Sequence, residues 1–182
     1  MRGGGDAAPP AMRVQPMEAA DASAACREAA LELLERSLRT RMDLERRLKD
    51  KGFAPDTIAS VLARLADVGL VDDVEYARAW LAGRWGRRPS GWRRLQQQLR
   101  ASGVSQEDSE RARQVLAERG GAPDEVSSAA QLVARARRRY AKLEPRVVRQ
   151  RLYALLARHG FDGDTIRRAL DMREPMDGPV ED

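Results

Sequence analysis

One phrase is written three times along this chain, and it limits the fold more than any other feature: LKDKGFAPDTI at 48–58, LARHGFDGDTI at 156–166 and, more faintly, LRASGVSQEDS at 99–109. In each copy a leucine stands eight residues and another four residues before a glycine: Leu44 and Leu48 before Gly52, Leu95 and Leu99 before Gly103, Leu152 and Leu156 before Gly160. Leucines four apart lie on one helix face. Glycine takes the left-handed conformation that ends a helix at C′ at little steric cost. The residue after it is apolar every time: Phe53, Val104 or Phe161. In a Schellman ending that C″ residue packs back on C3, which by count is Leu48, Leu99 or Leu156. Each copy therefore predicts a helix stop with its hydrophobic contact.

Helix-start residues follow each stop: Pro55 with Asp56, Ser105 with Asp108, Asp162 with Asp164. An apolar stripe then resumes, as Ile58, Val61, Leu62 and Leu65 in the first copy and Ile166, Ala169 and Leu170 in the third. The second copy is weaker, because Ser109 stands where the others have isoleucine, although Ala112, Val115 and Leu116 continue it. Another helical pattern precedes each pair: Ala29, Leu33, Leu34 and Leu38; Tyr76, Ala77, Trp80 and Leu81; Leu132, Val133, Ala136 and Tyr140. One repeat is thus three helices. The glycines are 51 and then 57 residues apart, a period expected of stacked units that each bury too little alone. The expected fold is all-α, an elongated, curved array of three tandem three-helix repeats with about nine helices. Its expected divisions are a disordered N-terminal leader at 1–24, repeats at 25–70, 71–120 and 121–172, and an acidic tail at 173–182. The joints fall at DVGLVDD (67–73) and RGGAPDE (119–125), where glycines with acidic or proline residues interrupt the stripes.

Composition removes most other architectures. Charged residues make up 34% of the 182 and aromatics only 4%, which suits helices and ill suits a sheet. Cys26 is the one cysteine and His159 the one histidine, so an internal disulfide and a His/Cys metal cluster are both excluded. No apolar run reaches bilayer-spanning length, and MRGGGDAAPPAMRVQP has no apolar core of a signal peptide. A cytoplasmic monomer that needs no cofactor and has no membrane partner is expected.

The net charge of +5 hides a segregation. Residues 76–106 contain seven arginines and no acid, and residues 126–161 contain nine Lys and Arg against Glu144 alone. The rest of the chain is net acidic. Arg135, Arg138, Arg139 and Lys142 fall at i, i+3, i+4 and i+7, a basic stripe on the third repeat's first helix if that helix runs so far. Arg146, Arg149 and Tyr153 share the next helix's face opposite Val148, Leu152 and Leu156. Arg93, Gln97 and Arg100 lie together in the middle repeat, away from Trp92, Leu95 and Leu99, with Arg94 beside them. Arg84, Arg87 and Arg88 flank Trp85 near a loop. A solvated face explains any single arginine. Two acid-poor blocks point instead to a polyanionic or acidic partner.

Few residues suggest chemistry. Asp72, Asp73, Glu75 and Tyr76 open a helix, and Asp72-x-x-Glu75 reads as a capping box rather than a dyad. His159 precedes its C′ glycine, where an imidazole can serve terminal carbonyls. Cys26 has no neighbouring base. Trp80 and Trp92 sit on core stripes, leaving Trp85 as the tryptophan available to stack on a base. No catalytic constellation is present, and no enzyme is expected.

GLVDDVEYARAWLAGR, the Leu-x3-Gly-Phe turns at 48–53 and 156–161, and SGWRRLQQQLRASGV between them resemble the RecX family of bacterial regulatory proteins over about residues 27–172. The most specific element is Gly69, Leu70, Asp72, Asp73, Tyr76, Ala77 and Trp80 followed by Gly91. The resemblance implies tandem three-helix repeats that bind the RecA recombinase filament on single-stranded DNA, lie in its helical groove and modulate, usually inhibit, ATP hydrolysis and strand exchange. It also implies weak direct DNA binding. The Gly- and Pro-rich leader and the weak second turn depart from the family pattern. The alternative is a DNA-binding protein of helix-turn-helix-like units, since two helices joined at a short glycine turn also make that motif. A recognition helix should be basic, and none of the helices after the three turns carries a basic excess.

Overall fold

The computed structural model describes residues 16–85, 87–122 and 124–172. The described residues form nine α-helices and one 3-10 turn, with no strand. They are α1 (Pro16–Arg36), α2 (Arg41–Asp50), α3 (Pro55–Asp67), α4 (Asp73–Arg84), α5 (Trp92–Ala101), α6 (Gln106–Glu118), α7 (Glu125–Arg137), α8 (Pro145–Arg158) and α9 (Gly163–Asp171), the 3-10 turn being Arg138–Tyr140 between α7 and α8.

Two boundaries differ from expectation. Helix α1 begins at Pro16, so residues 16–24, expected in the leader, are helical; residues 1–15 lie outside the described residues, as does the expected acidic tail at 173–182. Proline at the first position and Glu18 in the first turn start a helix well. Residues 18–25 are exposed except for half-buried Ser23, so they carry no apolar stripe by which periodicity reveals a helix. At its other end α1 stops at Arg36, and Leu38, expected on its stripe, is 52% exposed. Cys26 and Ala30, both fully buried, form the inner face instead.

The chain divides into two compact units, one of residues up to 38 with Leu44–Leu70, the other of Arg39–Asp43 with residues from 71 on. In the first, α1 packs on α3. Cys26, Ala30, Leu44, Leu48, Ile58, Val61, Leu62 and Leu65 are its buried apolar residues. In the second, α4 and α5 pack on α6, and α7, α8 and α9 pack on one another. Its core has two clusters. Leu81, Trp85, Trp92, Leu95, Leu99 and Leu116 anchor one; Val133, Leu152, Leu156, Phe161, Ile166 and Leu170 anchor the other.

The repeated phrase is the expected helix stop. Gly52, Gly103 and Gly160 have φ of 91°, 92° and 86°. The C″ amides of Phe53, Val104 and Phe161 donate to the carbonyls of Leu48, Leu99 and Leu156 at 3.2, 3.0 and 3.3 Å, the Schellman pairing. Starts are capped as locally: Asp162 accepts from the amides of Asp164 and Thr165, Ser105 from that of Asp108. Ser109 does not open a hole in the middle copy. It is fully buried, and its hydroxyl donates to the Ser105 carbonyl at 2.7 Å, which removes the penalty of an unpaired buried hydroxyl.

Inside the second unit, one junction device occurs twice. Glu125, the first residue of α7, accepts through Oε2 from the amide of Trp92, the first residue of α5, at 3.1 Å. Asp73, the first residue of α4, accepts from the amide of Arg41 at 2.9 Å. Each carboxylate satisfies an amide that a helix start leaves open, and burial pushes both carboxyls above their ordinary range. The Gly91 amide likewise donates to the His159 carbonyl at 3.0 Å, and the Thr40 hydroxyl to the Ser102 carbonyl at 2.7 Å.

Candidate functional site

Four of the acidic and aromatic residues singled out in the sequence belong to the framework. Asp72 caps α4, accepting from the amides of Val74 and Glu75 at 2.8 and 3.0 Å. The capping box is half made, because Glu75 turns to the Arg78 guanidinium instead of back to Asp72; that bond holds the Glu75 carboxyl below its ordinary range. Asp73 is the junction ligand just described, and half-buried Tyr76 packs on the middle cluster. The His159 Nδ1 is buried without a partner, so this atom does not serve the terminal carbonyls. Cys26 is buried and free, and burial pushes its thiol up.

Trp85 corrects an expectation. It is 7% exposed rather than available for stacking on a base. Its ring stacks on Trp92 with centroids 5.6 Å apart at 27°. The Arg113 guanidinium lies 5.7 Å from one ring centroid and 4.9 Å from the other, within cation–π range. Glu125 Oε1 accepts from Arg113 at 3.1 Å, and Glu110 accepts from the Trp92 indole at 2.8 Å. Local sequence holds no sign of this assembly, because Arg113 and Glu125 meet the tryptophans only through tertiary packing.

The basic residues are where a partner would find them. Arg84, Arg87, Arg88, Arg93, Arg94, Arg100, Arg135, Arg138, Arg139, Lys142, Arg146 and Arg149 are all exposed. Among the described residues, Arg149 alone of these makes an ion pair, with Asp171 at 3.0 Å. Arg84 lies over the Trp80 ring at 4.7 Å.

The expected continuous stripe is broken. Helix α7 ends at Arg137, so Arg135 is helical, Arg138 and Arg139 stand on the 3-10 turn, and Lys142 lies in the turn beyond it. The chain must reverse before Pro145, which fills the first position of α8 and disfavours helical backbone just before it. Arg135 and Arg138 line one groove, and a second groove lies elsewhere in the unit.

The first groove, of about 1170 Å³, runs between α7, the turn and α8. Val148, Leu152, Leu170 and Leu143 give it an apolar floor; Arg135, Arg137, Arg138 and Arg149 line its rim. The second, of about 680 Å³, lies between α5 and the α8–α9 turn, with Arg93, Arg94, Arg158, Gln97 and Tyr153 in its lining. Arg149 and Tyr153, one turn apart on α8, put one side chain into each. Arg137 and Arg158 were not anticipated from the sequence, where neither fell on a chosen stripe. Arg139, Lys142, Arg146 and Arg100 line neither groove, and the Arg84–Arg88 cluster stands apart from both.

These surfaces offer guanidinium donors, amides and a phenol, the groups that bind phosphates or carboxylates. Among the described residues no three His, Cys, Asp or Glu side chains are grouped to hold a metal ion, and no helix is long and apolar enough to cross a membrane.

Comparison with known proteins assigns the three helix triplets in order. Family models described as the first, second and third three-helix domains of RecX match residues 26–65, 72–112 and 123–170. The Regulatory protein RecX of Mycobacterium avium (strain 104) is 37% identical over 155 residues, covering 84% of either chain. That of Prosthecochloris aestuarii (strain DSM 271 / SK 413) is 34% identical over 134 residues, 72% of this chain and 82% of the relative. Among solved structures, RecX from Lactobacillus salivarius superposes with a TM-score of 0.73 at 23% identity, covering 83% of this chain and 96% of the other. A second regulatory protein RecX does so with 0.72 at 21%, covering 88% and 81%. The two superpositions support the fold.

Proposed function

The chain belongs to the RecX family of regulatory proteins, and from that premise we propose that it binds the RecA recombinase filament on single-stranded DNA along its groove and inhibits ATP hydrolysis and strand exchange. The observation that carries the reading is the run of exposed cationic side chains on the second unit, all but one without a carboxylate partner among the described residues. Like charges held together without compensation cost stability, and a polyanionic nucleoprotein surface offsets that cost on binding. Both grooves pair arginines with apolar side chains, the first setting Arg135, Arg137, Arg138 and Arg149 around Val148, Leu152 and Leu170 and the second setting Arg93, Arg94 and Arg158 beside Phe161 and Ile166, a mixture that a protein surface can meet as well as a polyanion.

The protein acts by occupancy rather than catalysis on this reading, competing with incoming duplex or filament growth. It works as a monomer and contacts single-stranded DNA weakly, directly or within the filament. The alternative of a helix-turn-helix DNA reader is disfavoured, because α3, α6 and α9, the helices that follow the three turns, carry no basic excess on any face left for DNA.

Titrating the protein well below stoichiometry into RecA's single-stranded-DNA-dependent ATP hydrolysis and strand exchange tests the proposal, with free-DNA binding measured at the same salt. Inhibition at amounts too small to coat the DNA is expected. Inhibition that begins only when the DNA is saturated would make the protein an ordinary DNA binder.

A further inference from the structure

The first groove has the chemistry of a peptide site, and the chain carries a segment that matches it. Its floor is apolar, from Val148, Leu152 and Leu170 with Leu143 at 37% exposure, and its rim is cationic, from Arg135, Arg137, Arg138 and Arg149. An occupant should therefore alternate apolar side chains with carboxylates. Residues 173–182, REPMDGPVED, do so: Met176 and Val180 are interspersed with Glu174, Asp177, Glu181 and Asp182.

The segment also starts in the right place. Leu170, at the end of α9, is part of the groove lining, and the next residue, Asp171, pairs with Arg149 on the rim at 3.0 Å. Ten further residues reach at most about 35 Å when extended, ample for a groove that begins at their own root. Attachment there makes docking intramolecular, with a high effective concentration.

We propose that residues 173–182 dock in this groove of their own molecule, carboxylates on the arginine rim and Met176 and Val180 on the apolar floor. The acidic segment then acts as an internal competitor that an incoming anionic partner must displace. This consequence rests on the function proposed above; the docking itself does not.

The test uses the full chain and a variant with the segment neutralised, Glu174→Gln, Asp177→Asn, Glu181→Gln and Asp182→Asn. Amide NMR signals of 134–149 and 170 should shift between the two proteins, equally at low and high protein concentration, and the differences should collapse in about 1 M salt, where screening acts within about 3 Å. Signals that do not move, or that move elsewhere, overturn the proposal. A difference that grows with protein concentration would assign the groove to a second copy's segment and also overturns it. Binding of a fluorescent oligothymidylate and of the RecA filament is measured on the same samples, and the neutral variant should bind several-fold more tightly. Groove shifts with unchanged affinity for both would leave the docking in place and remove this groove from the proposed filament contact.

Discussion

A Cβ placed on Gly160 would stand 2.5 Å from the backbone nitrogen and from the Cβ of Arg94. The Gly160 carbonyl also accepts from the Arg93 amide at 3.2 Å. Gly160 thus ends α8 with its positive φ and lets the start of α5 close on it. Gly52 has the same conformation, φ 91°, but nothing within 4 Å of where its Cβ would be.

The two glycines should therefore respond differently to the same change. Gly52→Ala imposes left-handed strain alone, about 1–2 kcal/mol. Gly160→Ala adds a clash with backbone that cannot rotate away, and should cost at least about twice as much. Thermal and denaturant unfolding of the two variants would decide; equal losses would mean that the α5–α8 contact yields readily.

Trp85→Ala should act on stability rather than on recognition. It removes a buried ring stacked on Trp92 and leaves Arg113 without part of its aromatic support. Loss of a buried aromatic costs about 3–5 kcal/mol. The near-ultraviolet circular dichroism should fall with the melting temperature. A variant of unchanged stability and weakened filament binding would return Trp85 to the surface role first assigned to it.

What could be read without the structure was what lies close in sequence. Leu48, Gly52 and Phe53 make their contacts within six residues, so the helix stop shows in the letters. Asp162 and Ser105 bond to amides two or three residues ahead, and they too are legible. Trp85 was misplaced because its partners, Trp92 and Arg113, join it only when α5 and α6 pack. The basic stripe differs for another reason: a single helical phase holds only to Arg137, where α7 gives way to the 3-10 turn Arg138–Tyr140. The start of α1 was missed because its residues 18–24, exposed but for half-buried Ser23, have no buried face to print a period.

Acid should probe the caps. The Thr165 amide, with the Thr165 hydroxyl and the Asp164 amide, holds the Asp162 carboxyl below its ordinary range; the Ser127 hydroxyl and amide do the same for Asp124. A folded state with lowered carboxyl pKa binds fewer protons than the unfolded chain, so this stabilisation is present above the ordinary value of about 4 and lost as pH falls through the lowered one. Asp73 and Glu125, raised by burial, act with the opposite sign: their contribution declines as pH rises through the window just above about 4. Asp162→Ala should cost about 1 kcal/mol near neutrality. The gap between parent and variant, measured by denaturant unfolding, should narrow as the pH is lowered. A constant gap would mean that the cap works through its geometry and not its charge.

The same reasoning separates a binding surface from a solvated one. Arg135, Arg138, Arg139 and Lys142 are exposed and without ion pairs among the described residues, so replacing all four with Ala removes little that holds the fold together; isolated surface changes stay within about 0.5 kcal/mol. Circular dichroism should show unchanged helix content. Filament affinity should drop, and the drop should be unequal by position. Arg135 and Arg138 line the first groove whereas Arg139 and Lys142 do not, so the double variant Arg135→Ala, Arg138→Ala should account for most of the loss. If nucleic acid is the direct contact, the dependence of affinity on salt should also become shallower, by about one unit of slope for each phosphate contact removed. A loss with unchanged salt slope would place a protein surface of the filament in the groove. Full affinity in the fourfold variant would return these side chains to the role of solvated charge, and would leave Arg93, Arg94 and Arg158 in the second groove as the surface to test next.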